Sequence, residues 1–178
     1  MERKVVLYIA ISLDGFIATQ DDQLSWLTQI EGKGDNGYQA FYDTVDTIIM
    51  GNRTYAWILQ EEGEHAFPYK GKTCYVYTRA EQGSNNLVRF TNEPVEQLVA
   101  RLRQESGRSI WLVGGGKLAR AFMEKNLVDE WVITIAPVLL GKGIPLFHAQ
   151  ESATMLTLTD VRRYGQFMQG TYRRRIEP

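Results

Sequence analysis

The stretch that decides the fold is Ser109-Ile110-Trp111-Leu112-Val113-Gly114-Gly115-Gly116-Lys117-Leu118-Ala119-Arg120-Ala121-Phe122-Met123-Glu124-Lys125. Its first five residues form a short apolar run, the pattern of a buried strand. Its last nine bring Leu118, Ala121 and Phe122 to one helical face. Three glycines separate the two patterns. Glycine has no Cβ, so the backbone there can approach a ligand closely. The helix start that follows offers unpaired N–H groups and its positive dipole end to an anion. The spacing is neither that of a Walker loop nor G-x-G-x-x-G. A tight strand-to-helix turn and a phosphate cradle are both open readings of it.

Working outward, the same alternation repeats. Val5–Ile11, Thr47–Met50, Thr73–Thr78 and Glu130–Ala136 read as strands, and Leu87–Thr91 as a weaker one. Helices are expected over Asp21–Ile30, with Asp21 or Asp22 as N-cap, over Tyr38–Val45 and over Arg53–Leu59. A longer helix opens at Glu93-Pro94 and runs through Glu105, with Val95, Leu98, Val99 and Leu102 at i, i+3, i+4 and i+7. Pro137–Phe147 reads as a loop. Thr154–Tyr164 and Gln166–Arg174 flank Tyr164-Gly165 as a terminal hairpin. The expected fold is α/β: a mostly parallel central sheet of about eight strands, helices on both faces, and a C-terminal antiparallel hairpin. No linker, repeat or low-complexity segment interrupts it, so residues 1–178 are expected to form one domain.

Composition narrows the function. The 178 residues include 20 basic and 21 acidic side chains, a net charge of −1. A general nucleic-acid binder carries a basic excess, so no nucleic-acid partner is expected. Arg173-Arg174-Arg175 then reads as a solvated terminal strand. One cysteine, Cys74, excludes an internal disulfide and a Cys-rich zinc site, and its apolar strand marks it as a core residue. With only His65 and His148 besides, no metal centre is expected. No stretch approaches the ~20 apolar residues of a membrane span, and the apolar run after Met1-Glu2-Arg3-Lys4 lacks a small-residue cleavage site. A cytoplasmic protein without a membrane partner is expected. Trp26, Trp57, Trp111 and Trp131 read mostly as core, with Trp26 able to border a cleft.

In an open parallel sheet, ligands bind beyond the carboxyl ends of the strands. Gly51-Asn52-Arg53-Thr54 follows the second strand and opens a helix. Thr54 and the helix start could hold a diphosphate and Arg53 could pair with a phosphate, or Arg53 is solvated on a capped surface helix. Thr78-Arg79 ends the third strand and is either a further phosphate contact or an ordinary strand end. Asp14, before Gly15, is either a proton relay or a cap for its own turn.

These strand ends resemble a known family. Ile9-Ala10-Ile11-Ser12-Leu13-Asp14-Gly15-Phe16-Ile17-Ala18, Ile49-Met50-Gly51-Asn52-Arg53-Thr54-Tyr55, Val113-Gly114-Gly115-Gly116-Lys117-Leu118 and Ala136–Phe147 occur in the order found in the dihydrofolate reductase superfamily. Within it the chain looks most similar to the C-terminal reductase domain of the bifunctional riboflavin-biosynthesis deaminase–reductase. The resemblance implies an NADPH-binding fold. Backbone groups of Ala10 and Ile17 would hold the carboxamide. Gly51, Asn52, Arg53 and Thr54, with Gly114, Gly115, Gly116, Lys117 and Leu118, would hold the diphosphate. Thr78 and Arg79 would sit near the 2′-phosphate. It further implies a cis Gly114–Gly115 peptide and a homodimer.

Two departures bear on the substrate. Gln23-Leu24-Ser25-Trp26 stands where dihydrofolate reductases carry acid-Leu-x-Trp, and a glutamine cannot act as that acid. Asn52 stands where an arginine often meets the 2′-phosphate, leaving Arg53 and Arg79 to substitute. Thr134 does match the family's threonine. Gln23, Leu27, Phe41, Thr134 and Lys142 are the substrate-side candidates, and Asp14 is the catalytic one. The implied function is an NADPH-dependent reductase that passes a hydride to a small heterocyclic or sugar-like substrate, resembling 5-amino-6-(5-phosphoribosylamino)uracil reductase. With one cysteine and two histidines, these 178 residues lack the zinc-binding His and Cys set of a deaminase half, so the bifunctional enzyme is not expected. The alternative is a non-catalytic NADP(H)-binding sensor or scaffold, and Gln23 argues against classical dihydrofolate reduction.

Overall fold

The computed structural model describes residues 3–80, 83–149 and 153–175. Its elements follow in chain order as β1 (Val5–Ser12), β2 (Phe16–Ala18), α1 (Ser25–Thr28), α2 (Tyr38–Tyr42), β3 (Val45–Gly51), α3 (Asn52–Glu62), β4 (Thr73–Tyr77), β5 (Arg89–Thr91), α4 (Val95–Gln104), β6 (Ser109–Gly114), α5 (Gly116–Glu124), β7 (Glu130–Ala136), β8 (Ile144–Pro145), β9 (Leu156–Tyr164) and β10 (Phe167–Arg174). Eight strands form one sheet in the order β5-β4-β3-β6-β1-β7-β10-β9. The ladders from β5 to β7 are parallel, and the β10 ladders to β7 and β9 are antiparallel. The expected α/β architecture and terminal hairpin are both present.

Side chains alternate along each strand, so the sheet builds two cores. One face gathers Leu7, Ile49, Ile110, Leu112 and Ile133 under Leu98, Val99 and Leu102 of α4 and Ala119 and Phe122 of α5. The other gathers Ile48, Met50, Val76 and Trp111 under Tyr55 and Ile58 of α3, with Tyr38, Phe41 and Tyr42 of α2 against them. Cys74 is buried in this second core, where burial pushes its thiol up to about 12. It is a packing residue, as its strand suggested.

Two expectations need correction. The helix expected over Asp21–Ile30 shrinks to Ser25–Thr28, with Leu24 rather than Asp21 or Asp22 at its N-cap. Thr19 is the reason. Its backbone N–H donates to the Gln23 carbonyl at 3.2 Å, and its hydroxyl accepts from the Gln23 N–H at 2.9 Å. Asp22 sits at φ +63° inside that turn. The hydroxyl competes locally with helical pairing. The Pro137–Phe147 loop also contains β8, which pairs antiparallel with β2 in a separate two-stranded sheet.

Candidate active site

The sheet splits at its centre. β1 pairs with β6 only from Val5 to Leu7, opposite Ile110 to Leu112. On its other side it stays paired with β7 as far as Ser12 opposite Ala136. Meanwhile β6 stays with β3 as far as Gly114 opposite Met50. Beyond Leu7, therefore, β1 and β6 part company. Tyr8, Ile9 and Ala10 lie on a central strand, yet all three are only half-buried. This is a cleft at the carboxyl ends of parallel strands, between neighbours distant in sequence, where open sheets place their ligands.

Two helices open beside the split. Gly51 is the N-cap of α3 and Gly115 that of α5, and neither helix has a side-chain cap. Their first-turn N–H groups are left for a ligand or water. The openings converge. A Cβ on Gly51 would lie 3.9 Å from the Gly114 carbonyl, and one on Gly115 would lie 3.5 Å from the Thr54 hydroxyl. The Gly114–Gly115 peptide is cis and Gly114 has φ +109°. Gly116 is needed for another reason, since its Cβ would meet the Pro145 carbonyl at 2.7 Å. Of the three glycines, Gly114 and Gly115 lie where the two openings approach each other. The third lets the β8 loop pass over α5. Lys117 is exposed and Leu118 half-buried at the start of α5.

The other proposed cofactor contacts fall into place unevenly. Ala10 lies opposite Thr134, and its strand edge toward β6 is outside any ladder. The β2–β8 register shifts between Phe16 and Ala18, so Ile17 is a bulged residue whose backbone stands outside the pairing. Thr78 follows β4 next to the α3 opening, and its hydroxyl accepts from the Ala80 N–H at 3.2 Å. Arg79 is exposed beside it, as is Asn52 on α3. Arg53 is engaged elsewhere: its Nε donates to Asp22 Oδ2 at 2.7 Å, and its Nη2 contacts the same oxygen.

Asp14 is fully occupied by donors. Its carboxylate accepts from the Ser12 hydroxyl at 2.6 Å, from the Leu140 N–H at 3.1 Å and from the Gly141 N–H at 2.7 Å. These hydrogen bonds, that from Ser12 foremost, hold its carboxyl below the ordinary carboxylate value. Together with the bond from Leu13 N–H to the Val138 carbonyl at 2.9 Å, they stitch the β1–β2 turn to the loop ahead of β8. Asp14 caps that distant loop rather than the Gly15 turn alone.

On the substrate side, the structure brings three of the five candidates to one face of the sheet. Thr134 is buried in β7. Phe41 of α2 stacks on Tyr8 with ring centroids 4.0 Å apart. Leu27 of α1 packs with Trp26, Ala136 and Phe167. Gln23 instead precedes α1 and is exposed, its side-chain amide donating to the Asp21 carbonyl at 3.3 Å. Lys142 is exposed on its loop. Sequence reasoning missed two residues on the same face, Tyr8 and Gln169. Gln169 is 7% exposed and donates from Nε2 to the Thr134 hydroxyl at 2.9 Å. Its signal was a polar residue two places from Phe167, at an inward position of the hairpin strand.

The glycine cradle fits a dinucleotide's diphosphate, because both openings present backbone donors to one groove. Comparisons with known proteins bear on the family and the fold. A Shewanella sp. PV-4 protein whose name places it in riboflavin biosynthesis superposes with a TM-score of 0.86, at 30% identity over 99% of this chain and 100% of that one. The deaminase/5-amino-6-(5-phosphoribosylamino)uracil reductase of Thermotoga maritima superposes with a TM-score of 0.71 at 15% identity, over 97% of this chain and 57% of that one, and so shares the fold. The Bacillus subtilis (strain 168) protein YwjB is 47% identical over 97% of this chain and 98% of its own length. The family model described as the RibD C-terminal domain matches residues 3–169. The dihydrofolate-reductase-like sheet with its cleft between β1 and β6 thus belongs to a member of the RibD C-terminal domain family.

Proposed function

We propose that this protein is an NADPH-dependent reductase acting on a small heterocyclic or sugar-like substrate, with 5-amino-6-(5-phosphoribosylamino)uracil as the reference compound. The observation that carries the reading is the convergence of two uncapped helix openings beside the β1–β6 split. NADPH, when bound, supplies the hydride. The backbone of Gly51–Thr54 and of Gly114–Leu118 holds the diphosphate. The free edge of Ala10 and the bulged backbone of Ile17 hold the carboxamide and so orient the ring. Thr78 and Arg79 lie at the end of the groove beside α3, where a cation favours a 2′-phosphate. Asp14 keeps the β1–β2 turn and the 138–146 loop together at the cleft mouth; with three donors on its carboxylate it positions rather than gives a proton.

The working unit we propose is a homodimer in the cytoplasm. Support for the dimer comes from β9, an edge strand exposed along nearly its whole length, with Leu158 53% and Val161 55% exposed. Among the described residues no helix is long and apolar enough to cross a membrane.

Titration of the protein with NADPH and NADH, read by quenching of its tryptophan fluorescence, tests the cofactor. NADPH should bind at least ~10-fold more tightly, a difference of about 1.4 kcal/mol. Loss of absorbance at the nicotinamide band with the reference uracil then tests the reaction. No quenching by either nucleotide would overturn the reading. Binding without oxidation of NADPH, across pyrimidines, pterins and carbonyl compounds, would instead mark the chain as a sensor.

A further inference from the structure

A cavity of about 260 Å³ lies apart from the cleft, on the flank of α5. Its walls are Met123 in the last turn of α5, Trp131 of β7, Phe147 and His148 after β8, Leu156 of β9 and Arg174 of β10. Trp131 is the second residue of β7. The cavity therefore sits toward the amino ends of the parallel strands, whereas the β1–β6 split opens at their carboxyl ends. Phe147 and Leu156 are 48% and 36% exposed, so its walls reach the surface.

Two polar atoms in these walls are unsatisfied among the described residues. Arg174 Nε and His148 Nε2 are each buried without a hydrogen-bond partner. The other two nitrogens of Arg174 are engaged. Nη1 donates to the Asn126 carbonyl at 3.1 Å and Nη2 to the Val128 carbonyl at 3.3 Å. The guanidinium carbon lies 5.9 Å from the centroid of the Trp131 ring. These contacts fix the head group, yet no carboxylate among the described residues pairs with it. Glu130, on the facing strand, is taken by Arg173 at 2.9 Å. A half-buried cation without a counter-ion is costly, and its one free N–H is a strong donor for an anion.

His148 stands toward the other end of α5. A Cβ on Gly116, the first residue of that helix, would lie 3.5 Å from His148 Nε2. Asn126 and Val128, which hold Arg174, follow the last turn. The helix between them spans roughly 13 Å at 1.5 Å per residue. The two polar groups are thus spread along the helix rather than gathered on one point, with apolar side chains between them. An imidazole nitrogen can donate or accept. The volume falls below the ~300–1,000 Å³ of pockets for drug-sized ligands, which suits one ring with a short chain.

We propose that this cavity is a second ligand site for an aryl carboxylate. The carboxylate accepts from Arg174 Nε, the ring lies among Met123, Trp131 and Leu156, and a hydroxyl at the far end pairs with His148. The inference goes beyond the reductase reading and does not depend on it.

The test is calorimetric titration of the full chain with 4-hydroxycinnamate, its amide and cinnamate, without nucleotide and again at saturating NADPH. The wild type should bind 4-hydroxycinnamate with a Kd below ~1 mM. The amide keeps the ring and loses the charge, and should bind at least ~10-fold more weakly. Cinnamate, which lacks the hydroxyl, should bind at least ~3-fold more weakly. Arg174→Gln should lower the affinity by ~10-fold or more. Because Arg174 also holds two carbonyls, Leu156→Trp is the second variant. It fills the cavity from an exposed wall, and should abolish binding while the thermal midpoint stays near wild type. Saturating NADPH should leave the affinity for 4-hydroxycinnamate unchanged. No binding by the wild type, equal binding of acid and amide, or displacement by NADPH would overturn the proposal. So would wild-type affinity in a folded Arg174→Gln or in Leu156→Trp, and equal binding of cinnamate would overturn the role of His148. Absence of NADPH binding would sink the reductase reading alone, because the amide ratio and both variants are read without nucleotide.

Discussion

Arg53 on the first turn of α3 is bonded to Asp22 in the turn before α1, with 2.7 Å between Arg53 Nε and Asp22 Oδ2. The pair joins two segments 31 residues apart across the edge of the glycine groove. It also removes Arg53 from the free cations that the sequence offered for a phosphate. The Arg53 side chain is 70% exposed, and exposed pairs contribute about 0–1 kcal/mol. Arg53→Ala should therefore lower the thermal midpoint by only a few degrees, by about the ~4 °C that 1 kcal/mol moves a domain of this size. NADPH affinity in that variant should fall by ~3-fold or less if, as proposed, the backbone openings hold the diphosphate. Asp22→Ala, which releases the guanidinium, should leave affinity unchanged or raise it, with a steeper dependence on salt. A loss beyond ~10-fold in Arg53→Ala would place that residue back among the phosphate contacts.

The glycines at the two openings separate binding from stability. A methyl on Gly51 meets nothing closer than 3.9 Å, and the residue's φ of −80° suits any side chain. Gly51→Ala should fold with a cost below ~1 kcal/mol, the range for a changed N-cap. The methyl would stand between the two helix openings and should weaken NADPH binding by ~10-fold or more. Gly116→Ala should behave in the opposite sense. Its Cβ would press on the Pro145 carbonyl at 2.7 Å, and overpacking of this kind costs about 1–3 kcal/mol. Parallel denaturant melts and fluorescence titrations of the two variants check both halves. Equal effects on stability would refute the division of labour.

The alternating pattern made most of the architecture legible. Apolar runs such as Thr47–Met50 and Glu130–Ala136 have few ways to be buried other than as central strands, and α4 announces itself by the spacing of Leu98, Val99 and Leu102. Segments whose conformation depends on one side-chain hydrogen bond were opaque. The Thr19 hydroxyl turned an expected helix start into a turn, and the two-residue β8 owes its existence to β2, a pairing that no local pattern encodes. The glycine-lined groove could be anticipated because glycine at a strand-to-helix junction has few explanations. The Gln169–Thr134 hydrogen bond could not, because the two residues meet only when β10 pairs with β7. Asp14 was visible as a residue but not in its role, since its partners Leu140 and Gly141 lie 126 and 127 positions away.

Asp14 offers a pH signature. Its carboxyl is held below the usual value of 3.8 by the Ser12 hydroxyl and by the N–H groups of Gly141 and Leu140. A depressed folded-state value means that the stabilisation is complete above the unfolded-state value and disappears as pH falls through the folded one. Asp14→Asn should melt below wild type by the same margin from neutral pH down to about 5. The gap should then close below about pH 4, as the wild-type carboxylate is protonated. Because Asp14 positions the loop, its turnover with NADPH should fall by ~10-fold or less and keep the wild-type pH profile. A loss of ~1,000-fold, or disappearance of one limb of the pH profile, would restore it as a proton relay.

At the far edge of the eight-stranded sheet, β9 is paired on one side only, with β10, and all of its residues from Leu156 to Arg163 are exposed. Leu158 and Val161 are 53% and 55% exposed, with Met155 at 55% just before the strand and Met168 at 47% on its neighbour. Apolar side chains concentrated on a sheet edge mark an association surface. A second copy of the same hairpin would meet it with identical residues, as a two-fold interface requires. Leu158→Asp places a charge in that stripe without touching either core. It should convert a dimer to a monomer in light scattering at micromolar concentration and leave the far-ultraviolet circular dichroism unchanged. If the wild type already runs as a monomer, or the variant stays dimeric, then β9 is not the contact.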